Sequence, residues 1–249
     1  MLDLITSPLL TARHGFFTRR GGASSGIFTG LNCGTGSSDQ REIVAINRGR
    51  VAAAMEVPLT HLVTVHQVHS SDVIRVSGPM PQRVQADAMV TATPGLALAI
   101  LTADCQPVLF CDATAQVIGA AHAGWRGAKD GVLESTLTAM EALGAKRADI
   151  SAVVGPTISQ ASYEVGTEFF EAFTDDDRST SRFFTQGLAG KYLFDLPSYG
   201  LARLRAAGVG QAEWTGHCTY RDPDRFFSFR RTTHAGEADY GRLISVITL

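Results

Sequence analysis

Residues 96–111 read LALAILTADCQPVLFC, and residues 117–127 read VIGAAHAGWRG. Leu96–Ala103, Pro107–Cys111 and Val117–His122 are apolar runs of strand length without polar alternation, as expected of strands covered on both faces. From Gly127 the period changes: Val132, Leu133, Leu137, Met140 and Leu143 form a helical stripe, and Gly144 is a natural stop. Strand runs with short breaks followed by a helix point to an α/β protein.

Working outward, Ala86–Thr91 and Ile150–Val154 read as further strands, as does His61–His69. His14–Thr18 opens the series and Leu243–Thr248 closes it. Ile43, Ile46, Val51 and Met55 predict a helix over Asp39–Met55; two more are expected at Thr167–Phe173 and Leu196–Ala207. Thr174–Gln186, with three consecutive Asp, reads as a mobile surface insertion. Neither repeats nor low-complexity linkers interrupt the chain, so residues 1–249 are expected to form one α/β domain.

Composition narrows the function classes. Hydrophobic content of 45%, charge content of 18% and a net charge of -2 describe an ordinary globular protein, with no footprint for nucleic acid or a membrane surface. The longest apolar run, Leu96–Leu101, is too short to span a bilayer, and the first residues carry no signal-peptide pattern. The four Cys form no CxxC pair, so thiols in a reducing cytoplasm are expected, with Cys111 packed as a small core residue.

The chemistry lies at the ends of the apolar runs. His69, Cys105 and His122 stand 36 and 17 residues apart, so only the fold can unite them. Together they suit a three-ligand metal site with an open position, or a Cys–His catalytic pair. In a metal site zinc would lower the pKa of a bound water to about 7. Strand parity sets His66 on the face opposite His69, which leaves it out of the ligand set. The same parity puts Ala103 and Cys105 on one face. Asp104 is either an orienter of a ligand His or a buried structural carboxylate. Gly124–Gly127 forms a strand-to-helix turn of the kind that binds anions. Phe226, Phe227 and Phe229 read most simply as core or pocket wall, an aromatic near Arg230 being also suited to stack on a flat ligand ring, and His217 and Cys218 read as structural.

The chain resembles the YfiH-like laccase-domain family, named first for multicopper polyphenol oxidoreductases and later for purine nucleoside enzymes. The resemblance rests on Gly15–Arg19 with Gly21 and Gly22, Leu31–Gly34, Asn47-Arg48, Gln67–His69 and Ala86–Ala88. It continues through Thr102–Cys105, His122–Gly127, Tyr163–Gly166 and Phe227–Arg231. It implies a layered α/β sandwich with mixed sheets, similar to the catalytic domain of cytotoxic necrotizing factor toxins. It also implies a Zn2+ site on His69, Cys105 and His122, with Cys105, His122 and Asp104 in catalytic roles. The implied reactions are phosphorolysis of adenosine, inosine, guanosine and methylthioadenosine, and hydrolytic deamination of adenosine. Arg19, Arg48, Arg126 and Arg230 are the candidate phosphate or substrate ligands, Arg48 and Arg19 first because the motifs contain them.

Three departures stand out: Ser70 replaces a usual Gly, Gln106 replaces an apolar residue, and residues 155–162 lack the Cys often found there. Two other functions compete. A multicopper oxidase needs several His-x-His pairs, and this chain has seven His and no such pair, although one copper on His2Cys is chemically allowed. A metal-free hydrolase or amidase, with Cys105 as nucleophile and His122 as base, would suit the peptidoglycan-precursor editing attributed to some relatives.

Overall fold

The computed structural model describes residues 1–80, 82 and 84–249. The first half contains β1 (Leu4–Ile5), β2 (Arg13–Phe17), α1 (Arg41–Ala54), β3 (Leu62–Val63), β4 (Val73–Arg75), β5 (Ala88–Thr91) and β6 (Ala97–Thr102). The centre supplies β7 (Gln106–Asp112), β8 (Val117–Ala123), α2 (Trp125–Asp130), α3 (Val132–Glu141), β9 (Ser151–Val154) and β10 (Glu164–Val165). The remainder is α4 (Thr167–Thr174), β11 (Phe184–Gln186), β12 (Tyr192–Phe194), α5 (Leu196–Ala206), β13 (Gln211–Trp214), α6 (Phe229–Ala235) and β14 (Leu243–Thr248).

Two mixed sheets carry the architecture, in the orders β1-β2-β14-β6-β3 and β13-β9-β7-β8-β5-β4; β10-β12-β11 forms a small third sheet. Strand alternation sorts the side chains into layers. Leu98 and Ile100 of β6 and Ile247 of β14 pack against Leu109 and Cys111 of β7 and Ile118 of β8, filling the space between the sheets. The alternate residues of the first sheet, Ala97, Ala99, Ile244 and Val246, bury against Val51 and Ala52 of α1. Those of the second, Val108, Phe110 and Val154, bury against Leu133, Leu137 and Met140 of α3 and Leu204 of α5. The result is an α/β/β/α sandwich. Every residue of β7 and β8 is buried, including the polar Gln106, Asp112 and His122 at or near their ends, and the apolar stretches inside them are those of strands covered on both faces.

Several local expectations are corrected. The buried face of α1 runs through Val44, Asn47 and Val51, and Ile46 is exposed. Asn47 sets that rotation: its amide donates to Ser24 and to the Asn32 carbonyl at 2.9 Å, and accepts from Ala23 N at 2.8 Å. The expected helix after Gly127 is two helices, broken at Gly131 in the left-handed region (φ 96°). Only Leu62–Val63 of the run 61–69 is strand. The polar segment 174–186 is anchored, not loose, because Phe183 and Phe184 are buried and Phe184 stacks on Phe194 at 4.7 Å.

Candidate metal centre and cavity

Cys105 lies where the chain crosses between sheets, since β6 belongs to the first and β7 to the second. The crossing is tight, and Asp104 adopts φ 87°, uncommon for a residue with a side chain. Strand parity therefore does not apply to residues 103–105. Five hydrogen bonds hold the turn. The Asp104 carboxylate accepts from Thr219 Oγ1 (2.6 Å), Ser228 Oγ (2.9 Å) and Arg230 N (2.7 Å). Its carbonyl accepts from Thr157 Oγ1 (2.7 Å) and Ile158 N (3.0 Å). Asp104 is thus buried with both carboxylate oxygens hydrogen-bonded, and none of those bonds goes to His69 or His122, the rings an orienter would hold.

Asp87 does the orienting. Its Oδ1 accepts from His122 Nδ1 at 2.7 Å, while Oδ2 accepts from Val68 N (3.0 Å), Ser70 N (2.6 Å) and Ser70 Oγ (3.1 Å). One carboxylate therefore fixes the ring of His122 and the backbone on either side of His69. His69 itself sits at φ 64°, and Gln67 anchors its segment to β6 through a paired bond to Leu101 (2.7 and 2.9 Å). Ser70, the departure from Gly, adds the hydroxyl bond to Asp87. Asp87 was legible only as part of the Ala86–Ala88 motif; nothing in its spacing announced this role.

The three sequence candidates converge. One ligand atom from each of His69, Cys105 and His122 lies within 4.8 Å of the others, and the two His rings are 4.7 Å apart. Among the described residues this is the one group of three or more His, Cys, Asp or Glu that can share an ion. Gly124 makes the approach possible: a Cβ there would stand 2.7 Å from His69 Nδ1 and 2.9 Å from Cys105 Sγ. His69 and Cys105 thus cover the turn expected to bind an anion, and only the six-residue α2 follows it.

The donor set fits a borderline-soft ion. Because Nδ1–H of His122 is donated to Asp87, the other ring nitrogen is the one that would meet an ion, releasing its proton as it binds, and a carboxylate behind a ligating His is the usual support. Two imidazoles and a thiol suit zinc, and three ligands leave a position for substrate. Burial lowers the pKa of His122, but Cys105 and then Asp87 more than offset it, to about 9. Burial pushes Asp87 up, yet its bonds from His122, Ser70 and Val68 bring it to about 2. Burial and then the neighbouring His122 hold the pKa of His69 below the usual imidazole value.

The cluster opens into a cavity of about 640 Å³, within the range of small-ligand sites. Of the four candidate arginines, Arg230 lines it, with its guanidinium bonded to the Glu164 carbonyl (2.6 Å) and lying over Tyr163 (5.1 Å). Arg126 is exposed, against Trp125 and within electrostatic reach of His69. Arg19 and Arg48, ranked first by motif, are not on the cavity wall. Arg19 bonds to the carbonyls of Thr29 and Pro223 over the Phe227 ring, and Arg48 donates to Thr64 and Cys33. Arg242, unnoticed in the sequence, does line the cavity. So does His66, which stands outside the ligand cluster but not for reasons of parity, since residues 64–69 are not strand. His217 packs on Phe226, away from the cavity.

Residues 13–249 match the family model described as multi-copper polyphenol oxidoreductase laccase. The chain belongs to that family. It is 40% identical to the purine nucleoside phosphorylase of Deinococcus radiodurans over 255 residues, covering 100% of this chain and 93% of that protein. It is also 40% identical to purine nucleoside phosphorylase YfiH of Escherichia coli K12, covering 93% and 91%. Its fold is similar to that of Neisseria meningitidis protein NMB0706, with TM-score 0.90, 35% identity, and coverage of 100% and 98%. Geobacillus stearothermophilus YlmD is similar at TM-score 0.87 and 30% identity, covering 97% and 93%. The α/β sandwich is therefore the family's fold. Among the described residues no helix is long and apolar enough to cross a membrane.

Proposed function

We propose that the protein is a zinc-dependent purine nucleoside phosphorylase acting in the cytoplasm. Its substrates would be adenosine, inosine, guanosine and methylthioadenosine, with a second, hydrolytic deamination of adenosine at the same centre. One observation carries the reading: a His2Cys cluster with an open side at the wall of a cavity sized for a nucleoside. The names of the relatives at 40% identity support the substrate class.

When bound, zinc supplies Lewis acidity toward a substrate oxygen. The protein's own groups do the rest. Asp87 orients His122 so that its other ring nitrogen would meet the ion once its proton is displaced, and fixes His69 through the flanking amides. Arg230 supplies a guanidinium on the cavity wall for phosphate or a ribose hydroxyl, and Arg126 a second positive charge beside His69. Tyr163 stays protonated, since burial raises its pKa, and so keeps its hydroxyl as a donor. A single copper on the same three ligands is the alternative, while the one cluster among the described residues has too few ligands for a multicopper centre.

A second reading has its own support. Asp87, His122 and Cys105 are arranged as a carboxylate, imidazole and thiol in series, which is also the layout of a cysteine hydrolase. One assay separates the two: metal analysis of purified protein, then adenosine with and without phosphate, resolved by chromatography. The zinc reading expects about one zinc per chain, with adenine and ribose 1-phosphate formed only when phosphate is present. Cys105→Ala should lose both metal and turnover. Full activity after exhaustive chelation, abolished by thiol alkylation, would overturn it in favour of the hydrolase. Inosine without ribose 1-phosphate would leave deamination alone.

A further inference from the structure

Phe229 is an anomaly of the cavity wall. It is the first residue of α6 and a large apolar side chain, yet 50% of it remains exposed, whereas Phe226 and Phe227 beside it are buried. An isolated exposed phenylalanine needs no explanation. This one is held in place. The buried Asp104 carboxylate accepts from Ser228 Oγ at 2.9 Å and from Arg230 N at 2.7 Å, so both of its neighbours in sequence are tied to the residue preceding Cys105. The backbone carrying the ring is thereby referenced to the ligand cluster.

The ring also has a fixed companion. Phe229 meets Tyr240 edge-on at 5.0 Å and 61°. The guanidinium carbon of Arg242 lies 4.2 Å from the centre of the Tyr240 ring, while the rest of the Arg242 side chain packs against Gly34. Any Cβ at Gly34 would come within 2.4 Å of Arg242 Cδ, so the bare glycine lets this stack close. Arg242 also reaches Asp239 (3.8 Å) and the Tyr240 carbonyl (3.1 Å), which occupies its charge within the protein. Phe229, Tyr240 and Arg242 all line the cavity that His69, Cys105 and His122 line.

We propose that Phe229, braced edge-on by Tyr240, is the stacking face for the fused-ring base of the nucleoside. The assignment rests on the nucleoside reading above. An aromatic face attracts a flat heteroaromatic ring and tolerates changes in its exocyclic groups, because every base presents a π-face. It offers nothing comparable to phosphate. In this assignment Phe229 takes the base, and the His2Cys cluster and Arg230, which line the same cavity, are left for phosphate and the reacting bond.

The test uses metal-loaded protein as purified and measures adenosine binding by calorimetry, with phosphate-dependent turnover run beside it. Phe229→Ala should weaken adenosine binding about tenfold to a hundredfold, the range of a lost base–aromatic stack. Its metal content and the KM for phosphate should stay at the wild-type level. Phe229→Trp should restore binding, which a purely structural role would not predict. Unchanged adenosine affinity in Phe229→Ala, or a raised KM for phosphate instead, overturns the assignment. So does a wild-type protein that binds no adenosine. A wild-type protein that binds adenosine through Phe229 but does not cleave it would refute the proposed reaction and still support the stacking surface.

Discussion

Replacing Gly124 with Ala should remove metal from this protein while leaving it folded. The new Cβ would stand 2.7 Å from His69 Nδ1 and 2.9 Å from Cys105 Sγ, where ordinary contact begins at 3.4 Å. The shortfalls, 0.7 Å and 0.5 Å, fall on two proposed ligands at once. A metal site tolerates ligand displacements of only about 0.2 Å. The backbone does not object: Gly124 has φ -62° and ψ 168°, an extended conformation open to any residue. Losing a glycine stabilises a compatible site by about 0.4–1 kcal/mol, and overpacking costs about 1–3 kcal/mol. His69 is exposed and can swing aside, so the metal-free variant should lie within about 2 kcal/mol of the parent, a few degrees in Tm for a chain of this size. Metal affinity should fall by about a hundredfold or more, equivalent to about 2.7 kcal/mol. Competition with a chromogenic chelator measures the affinity, and thermal melts with and without zinc measure the coupling to stability. A Gly124→Ala protein that keeps zinc at wild-type stoichiometry and affinity would show that the ion does not sit on these residues.

Two further outcomes follow from Asp87. Asp87→Asn should lower metal affinity about 10–100-fold, as loss of a carboxylate behind a ligating His does, because the amide nitrogen would confront donors at Val68 and Ser70 or at His122; chelator competition showing no change would remove its orienting role. In the metal-free protein Cys105 and Asp87 beside His122, and the bonds that Asp87 accepts, should shape stability against pH. Asp87, at about 2, contributes stability that is complete above its unfolded value near 3.8 and is lost as pH falls through 2. His122, at about 9, contributes stability that is complete below 6.5 and is lost as pH rises through 9. Urea melts of chelated protein should therefore show a maximum between about pH 4 and 6.5, and Asp87→Asn should flatten the acid limb. A parent curve that is level from pH 4 to 9.5 would refute the His122 part of this reasoning.

How far the sequence could be read varies along the chain in a physically sensible way. Strands β6, β7 and β8 were legible almost to the residue, because both of their faces are buried and apolar character alone marks them. The stop at Gly144 was equally plain, since the left-handed conformation there (φ 101°) favours glycine. The apolar pattern misleads where a polar residue does the packing. Asn47 turned α1 away from its apparent apolar stripe, and two phenylalanines hidden in an acidic run pinned the segment 174–186.

The candidate site divides along the same line. Residue types and motifs by themselves determined which side chains carry chemistry: two imidazoles and a thiol, with arginines and aromatics nearby. Only the tertiary structure decided how they are held. Cys105 sits on a crossover between sheets, His69 on a left-handed residue outside any strand, and His122 near the end of β8; no local periodicity relates the three. Asp87 joins two of them, Gly124 leaves room for two of them, and Asp104 ties the third to the cavity's aromatic wall. Those roles depend on distances between segments far apart in the chain. A carboxylate or a glycine carries no mark in the sequence of what will be folded against it.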